Sequence, residues 1–395
     1  MLPYQKFQAT QLFTGTELLG PEKVLITDEK GTIETILDEK EAGENIRQLN
    51  GILSPGFINC HCHLELSHLR GRIPEKTGLV DFVFKIVNER HFPEAEILDA
   101  ISIAEEEMLT NGIVAVGDIC NNTLTVSQKA KQKLAYYNFI ELTGWLPSVS
   151  QMRFERSLAV YQSFEEIKNE KLRIKNGLSP HAPYSVSNEL WELITPYFAG
   201  NTVTIHNQET AFEDTLFTQK EGDFMRMYRL MNMDTDFFTP TGKSSLQSYF
   251  PKMASAAKQI LVHNTFTSEE DVLFVNRQSS DVSWCVCINA NQYIEQALPP
   301  IDLFRKHQGR LVVGTDSLAS NWSLSILDEL KTITRHFPHI PLAELLQWST
   351  RNGAQALQMD DRLGSFEKGK QPGVVLLSQI ENGRLTASSM VGRLL

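Results

Sequence analysis

No stretch of 18 apolar residues occurs in the 395-residue chain, so no segment is long enough to cross a bilayer as a helix. The first residues, MLPYQKFQATQLF, lack the basic segment and apolar core of a secretory leader. Basic residues are in deficit: 37 Lys and Arg against 48 Asp and Glu give a formal net charge of −11. Affinity for a phosphate backbone comes mostly from clustered Lys and Arg, so the balance points away from nucleic acid and toward a small molecule. Cysteine is scarce and odd in number: five, with Cys60, Cys62, Cys285 and Cys287 in C-x-C pairs. That spacing matches neither the C-x₂-C of structural zinc and redox sites nor an even disulfide framework. The absences together predict a cytoplasmic protein with no membrane or nucleic-acid partner, and they leave homo-oligomerisation open.

A nucleotide-triphosphate loop is also missing. Gly242-Lys243-Ser244 looks like the end of one, but the earlier glycine of that motif falls on Phe237 and no strand is evident before it. The P-C-x-x-C half of the signature of nucleic-acid and cytidine deaminases does not occur. We find no internal repeat and no low-complexity segment.

What is present is an alternation. Both ends read as short strands broken by turn chemistry, VLITDEKGTIETIL (Val24 to Leu37) and PGVVLLSQIENGRLTASSMV (Pro372 to Val391), with turns at Glu29-Lys30-Gly31 and Glu381-Asn382-Gly383. Between them, eight apolar runs read as strands: Ile52 to Asn59, Ile113 to Ile119, Tyr136 to Leu142, Leu172 to Ser179, Thr202 to His206, Gln259 to Asn264, Val282 to Ile288 and Arg310 to Asp316. Amphipathic stretches such as Ile97 to Leu109, Asn188 to Phe198 and Leu324 to Phe337 separate most of them. This is the count and order of an α/β protein built as a (β/α)8 TIM barrel. The expected organisation is a barrel over residues 53–363 and a small β-sandwich domain built from both termini, 1–52 and 364–395. Residues 211 to 258 form a long connection rich in Phe and Met, read either as a lid or as a helical excursion with an apolar core face.

The ionisable residues fall at strand ends. His61 and His63 follow the first strand, His181 the fourth, His206 ends the fifth, His263 lies near the end of the sixth, and Asp316 ends the eighth. In such a barrel these ends converge on the face that carries active sites. Side-chain alternation in an extended segment places His61 and His63 on one face and Cys60 and Cys62 on the other, so the histidines are candidate ligands and the cysteines packing. Three imidazoles and a carboxylate suit one divalent metal, zinc first and Fe2+ or Mn2+ as substitutes, with a position left for water. The fourth strand ends in SPHAPY with Lys175 several residues earlier, which disfavours a bridged two-metal centre. His68, His91, His307, His336 and His339 lie elsewhere and read as surface or packing residues.

The segments GFINCHCHLELSH (Gly56 to His68), SPHAPYS (Ser179 to Ser185), HNQET (His206 to Thr210), VHNTF (Val262 to Phe266) and GTDSLASN (Gly314 to Asn321) resemble the amidohydrolase superfamily. They are most similar to its mononuclear deaminase and chlorohydrolase branch, which includes S-adenosylhomocysteine/methylthioadenosine, guanine and aminodeoxyfutalosine deaminases. The resemblance implies that His61, His63, His206 and Asp316 hold the metal, that Glu209 shuttles protons, and that His263 helps activate water or hold the leaving side. It implies substrate contacts from His181 and from Glu75, where adenosine-type deaminases keep an acid for ribose hydroxyls. Glu65, in phase with His61 and His63, and Asn291, in a polar loop after the seventh strand, are further candidates. That loop, INANQYIE, lacks the usual Cys-Pro start, which weakens the carry-over there. The leading expectation is hydrolytic deamination of a purine or related heterocycle. The alternatives are the same metal acting on another leaving group, chloride or an amide, and more remotely a scaffold without catalysis.

Overall fold

The computed structural model describes residues 4–168, 174–279 and 281–395. The eight inner strands are β1 Phe57–Cys62, β2 Ile113–Cys120, β3 Ala135–Leu142, β4 Ile174–Pro180, β5 Thr202–Asn207, β6 Lys258–His263, β7 Val282–Val286 and β8 Arg310–Val313. They form two four-stranded parallel sheets, β1 to β4 and β5 to β8 in order. β2 and β3 are buried along their whole length, the reason a parallel strand covered on both faces reads as an unbroken apolar run. At one seam between the sheets His206 N donates to His181 O at 2.9 Å. At the other, Cys62 bridges to Asp316, and the amides of Thr315 and Asp316 both donate to His61 O at 3.0 Å.

Three expected strands need correction. Ile52 to Asn59 is two strands, because Pro55 has no amide to donate and Gly56 passes so close to Val114 that a Cβ would sit 2.3 Å from its Cγ1. Ile52–Ser54 therefore pairs outward with Val375–Ser378, and only Phe57–Cys62 enters the parallel sheet. The seventh strand stops at Val286, and Ile288–Ile294 is a helix where a polar loop was expected. The eighth stops at Val313, short of Asp316. Of the fourth expected strand, Leu172 and Arg173 lie outside the described residues.

Strands from both ends of the chain make two further sheets. One has the order Met390–Arg393, Val375–Ser378, Ile52–Ser54, Gln11–Phe13, Leu18–Leu19, and the other Ile33–Asp38, Lys23–Thr27, Gln5–Gln8, Arg47–Gln48. Phe7, Leu25 and Ile33 of the second sheet pack with Leu12 and Leu53 of the first. The hairpin turn after Thr27 is closed by Asp28, whose Oδ1 accepts from the amides of Lys30 and Thr32, each at 2.8 Å. At Asn382 and Gly383 the positive φ values, 51° and 72°, mark the tight turn expected of Asn-Gly.

The expected helices form as Glu94–Thr110, Asn188–Ile194 and Ile326–His336. The second stops short of Phe198 because Pro196 follows, and continues as a 3-10 turn over Thr195–Tyr197. The long connection is a helical excursion: Ala211–Gln219, Asp223–Leu230 and Ser245–Tyr249. Its middle helix buries Phe224, Met227 and Tyr228, the i, i+3, i+4 face, with Phe224 stacked on Tyr184 at 3.9 Å and Tyr228 on Trp145 at 4.7 Å. Ser244, of the rejected phosphate-loop sequence, caps the helix Ser245–Tyr249 by accepting from Gln247 N.

Glu213 ties this excursion to the end of β5. Its Oε1 accepts from Gln208 N at 3.0 Å and Ser245 Oγ at 2.5 Å, and its Oε2 is buried without a hydrogen bond. Burial pushes its carboxyl up from 4.5 to about 8. The folded state therefore holds a proton that the unfolded state releases. The stability this gives is complete below about pH 4.5 and is lost as pH rises through about 8. Thermal unfolding between pH 7 and 9, above the range in which the buried histidines titrate, should show the midpoint falling with pH, and falling less in Glu213→Gln, which keeps the acceptor and cannot ionise. Parallel curves for the two proteins would overturn this account.

Candidate active site

The end of β1 is held from two sides. Asn59 Nδ2 donates to Thr315 Oγ1 at 2.8 Å, and Leu64 N donates to Asp118 Oδ1 at 2.8 Å. Asp118 Oδ2 in turn meets the fully buried Lys129 Nζ at 2.5 Å, and that ammonium also donates to Asn138 Oδ1 at 2.7 Å. The segment carrying His61 and His63 is thereby clamped between β2 and the turn after β8. The pairing of β1 with β2 shifts register between Asn59 and Cys62, and this irregularity breaks the expected alternation. Cys60 packs with Ile58, Ile119 and Cys285, whereas Cys62 packs with Leu64, Val116 and Cys120. The two cysteines are buried packing residues, but not on one shared face.

The four expected ligands come together. His61 Nε2 and His63 Nε2 are 3.2 Å apart, and Asp316 Oδ1 lies 3.4 Å from the second and 3.7 Å from the first. One ligand nitrogen each of His61, His63 and His206 fits within 4.8 Å of the others. Burial is the main cause that pushes the His61 and His63 rings down to about 4 and His206 to about 3. All three are neutral at pH 7 and keep the lone pairs that a metal requires. Burial alone would raise Asp316, but the His61, His63 and His263 rings together outweigh it and hold its carboxyl well below the usual range. Ser320 Oγ fixes the other oxygen of Asp316 at 2.8 Å. His206 Nε2 is buried without a hydrogen bond, an orphan that a cation would satisfy. Donor types, protonation and spacing fit one divalent ion.

Beside this centre stands an acid. Glu209 Oε2 is 3.7 Å from His263 Nε2. Burial pushes its carboxyl well above the ordinary 4.5, and the charges of Asp316 and Glu295 raise it further. His263 Nε2 lies 3.1 Å from His206 Nδ1, and its Nδ1 lies 2.9 Å from Asn291 Oδ1. Asn291 thus reaches the site from the helix Ile288–Ile294, and its Nδ2 is buried without a partner. His181 stands 4.9 Å from His206 ring to ring, with Nδ1 2.7 Å from Ser185 Oγ. Glu75 lies apart, exposed at the rim, where it accepts from the indole N–H of Trp322 at 2.8 Å. Glu65 is enclosed: its Oε2 accepts from Asn121 N at 3.0 Å, and burial raises it to about 7. His68, His307, His336 and His339 bond to Arg90 O, Glu269, Gln292 and Asp302.

Sequence reasoning passed over Glu141, Asn121 and the Asp118–Lys129 pair. Glu141 lies in β3 and faces His206, with Oε1 3.4 Å from Nε2. Its Oε2 accepts from Asn121 Nδ2 at 2.9 Å. The signal was available: Asp118 and Glu141 are carboxylates near the carboxyl ends of apolar strands, the same rule that singled out Asp316.

The model of the amidohydrolase family matches residues 52–391. A Helicobacter pylori adenosine deaminase is 28% identical over 346 residues, 82% of this chain and 78% of that protein. Among solved structures, Helicobacter pylori aminofutalosine deaminase in complex with methylthio-coformycin superposes with a TM-score of 0.80 at 23% identity, covering 97% of this chain and 93% of the other. An adenosine deaminase from Xanthomonas campestris with bound zinc gives 0.72 at 20% identity, covering 94% and 84%. The chain belongs to the amidohydrolase family. It is a hydrolase whose named homologues are deaminases, acting on C–N bonds.

Replacing Lys129 with Met leaves the Asp118 carboxylate buried and unpaired behind the His61–His63 segment. The expected loss is about 3–5 kcal/mol of unfolding free energy, measured by urea denaturation. A loss under about 1 kcal/mol, the scale of an exposed pair, would mean the pair does not brace the site.

Proposed function

We propose that this chain is a metal-dependent hydrolytic deaminase of a purine nucleoside-like compound, with aminodeoxyfutalosine as the first candidate. The observation that carries the reading is the opposite tuning of two carboxylates at one centre. Glu209 is held protonated by burial, while Asp316 is held ionised by the imidazoles around it, which is how one site provides an acid and a base at the same pH. We take the two parallel sheets to be the halves of one (β/α)8 barrel, with a β-sandwich domain from residues 1–52 and 364–395 and the barrel over 53–363. The seam bonds at His61 and His206 support the closure of the barrel.

His61, His63, His206 and Asp316 would hold one divalent ion, zinc first, with Fe2+ or Mn2+ as substitutes. Such an ion lowers the pKa of coordinated water to about 7. Asp316, already ionised, accepts a proton from the attacking water. Glu209, already protonated, gives its proton to the ring nitrogen beside the amino-bearing carbon. Left ionised, Glu209 takes the proton of the new hydroxyl and passes it to the departing ammonia, and the proton held on Asp316 returns to Glu209, so that the carbon exchanges its amino group for oxygen with one water consumed. His263 is held by Asn291 at the correct tautomer to hydrogen-bond the leaving side. His181 and the free Nδ2 of Asn291 contact the heterocycle. Glu75, at the rim on Trp322, takes sugar hydroxyls, and Glu65 acts from behind through Asn121.

Ammonia release by the zinc-loaded protein should appear on at least one of aminodeoxyfutalosine, methylthioadenosine, S-adenosylhomocysteine, adenosine or guanine. Glu209→Gln should lower that turnover by 100-fold or more, the order of a lost general acid, while the metal stays bound. Activity retained in the variant would remove Glu209 from the chemistry. Silence of the wild type across the panel, with one ion bound, would shift the reading to a non-deaminating hydrolase of the same family.

A further inference from the structure

We infer that Glu141 is a direct ligand of the same cation, a second carboxylate reaching it on the His206 side. The inference rests on the metal reading proposed above and adds a donor to it. Two buried atoms at the end of β5 and β3 lack hydrogen bonds: His206 Nε2 and Glu141 Oε1. They stand 3.4 Å apart, at the long limit of contact and without a hydrogen bond of ordinary geometry. Two neighbouring ligands at about 2.0–2.2 Å from one ion, at angles of roughly 90–110°, are separated by roughly 2.9–3.6 Å. The His61–His63 pair at 3.2 Å and the His63–Asp316 pair at 3.4 Å have that spacing, and the His206–Glu141 pair matches them. A buried carboxylate oxygen with no donor is costly, and a cation between these atoms removes the cost for both.

The carboxylate is also aimed. Asn121 Nδ2 binds its other oxygen at 2.9 Å, and the amide of Asn121 is itself held by Glu65 Oε2 at 3.0 Å. Glu141 cannot swing away without breaking this chain. Its side chain is 5% exposed and that of His206 is 9% exposed, so water cannot substitute freely for the missing partner. Charge agrees: three neutral imidazoles with two carboxylates balance a divalent ion in a buried site, where one carboxylate leaves a net positive charge. A second oxygen donor also favours a harder ion, so Glu141 should matter more for Mn2+ than for Zn2+.

The test is metal binding and does not depend on turnover. Metal-free full-length protein is titrated with Zn2+ and Mn2+ against a competing chelator, for the wild type and for Glu141→Gln, with circular dichroism to verify folding. Glu141→Gln keeps an acceptor for Asn121 and replaces the cation-facing oxygen by an amide nitrogen. The expected result is a loss of Mn2+ affinity of about 10–100-fold, the range for removing groups that support a metal centre, with a smaller loss for Zn2+. Equal losses for the two ions, or none, would overturn the inference. If Glu141→Gln does not fold, Glu141→Asp serves in its place: a shortened carboxylate should lose Mn2+ in the same order, and unchanged binding would equally overturn it. A wild type that binds neither ion would instead remove the metal reading itself.

Discussion

One carbonyl, that of His61, accepts backbone hydrogen bonds from both Thr315 and Asp316. The bonds join β1 to the turn after β8, and in doing so they place an imidazole and a carboxylate from opposite ends of the chain beside each other. Neither side chain would meet the other through local structure, since more than 250 residues separate Asn59 from Thr315, whose side chains bond at 2.8 Å just behind them. The second seam repeats the device, with His206 N on His181 O. Backbone pairing at the sheet edges thus assembles the site, and the side chains inherit their positions from it.

That placement is electrostatically demanding. Four imidazoles, His61, His63, His206 and His263, and four carboxylates, Asp316, Glu209, Glu141 and Glu65, are buried around one point. Removing so much charge from water is unfavourable unless the groups neutralise one another or shift their protonation. Both happen. The imidazoles shed their protons, Glu209 keeps one, and Asp316 stays ionised among the rings. The Asp118–Lys129 pair performs a separate task one layer out. It holds Leu64 N, and with it the backbone on which His63 sits, without adding net charge to the cluster.

The sequence made the strands of this core legible because burial on both faces leaves unbroken apolar runs, and it made His61, His63, His206, His263 and Asp316 legible because each follows such a run. What it hid had physical reasons. The split at Pro55-Gly56 was masked by apolar residues on both sides, Ile52 and Leu53 before it, Phe57 and Ile58 after it. The helix at Ile288–Ile294 looked like a loop because Asn289 and Asn291, poor helix formers, are buried by tertiary contacts: Asn289 N donates to Glu329, and Asn291 meets His263. Cys60 and Cys62 parted because a register shift is invisible in a residue pattern. Glu141 was legible by the strand-end rule that picked out Asp316, but standing inside its strand among Tyr, Phe, Ile and Leu it draws less notice than a residue in the turn beyond.

The backbone bears the cost of converging these groups. His263, Asn264 and Asp316 have φ values of 71°, 55° and 58°, and Gln208 has 43°. None is glycine, so each sits in a left-handed conformation that costs of order 1 kcal/mol or more. His263 ends β6, and Gln208, Asn264 and Asp316 lie in the turns after β5, β6 and β8, where the chain must leave the sheet at once. The strain is sustained by hydrogen bonds on the same residues: Asn264 Nδ2 donates to Leu261 O at 2.7 Å and Cys285 O at 3.0 Å, and Asp316 is locked by Ser320. A glycine at Asp316 or His263 would relieve the backbone and delete the functional group. Side-chain chemistry therefore determines which residue stands at these turns, against the local conformational preference.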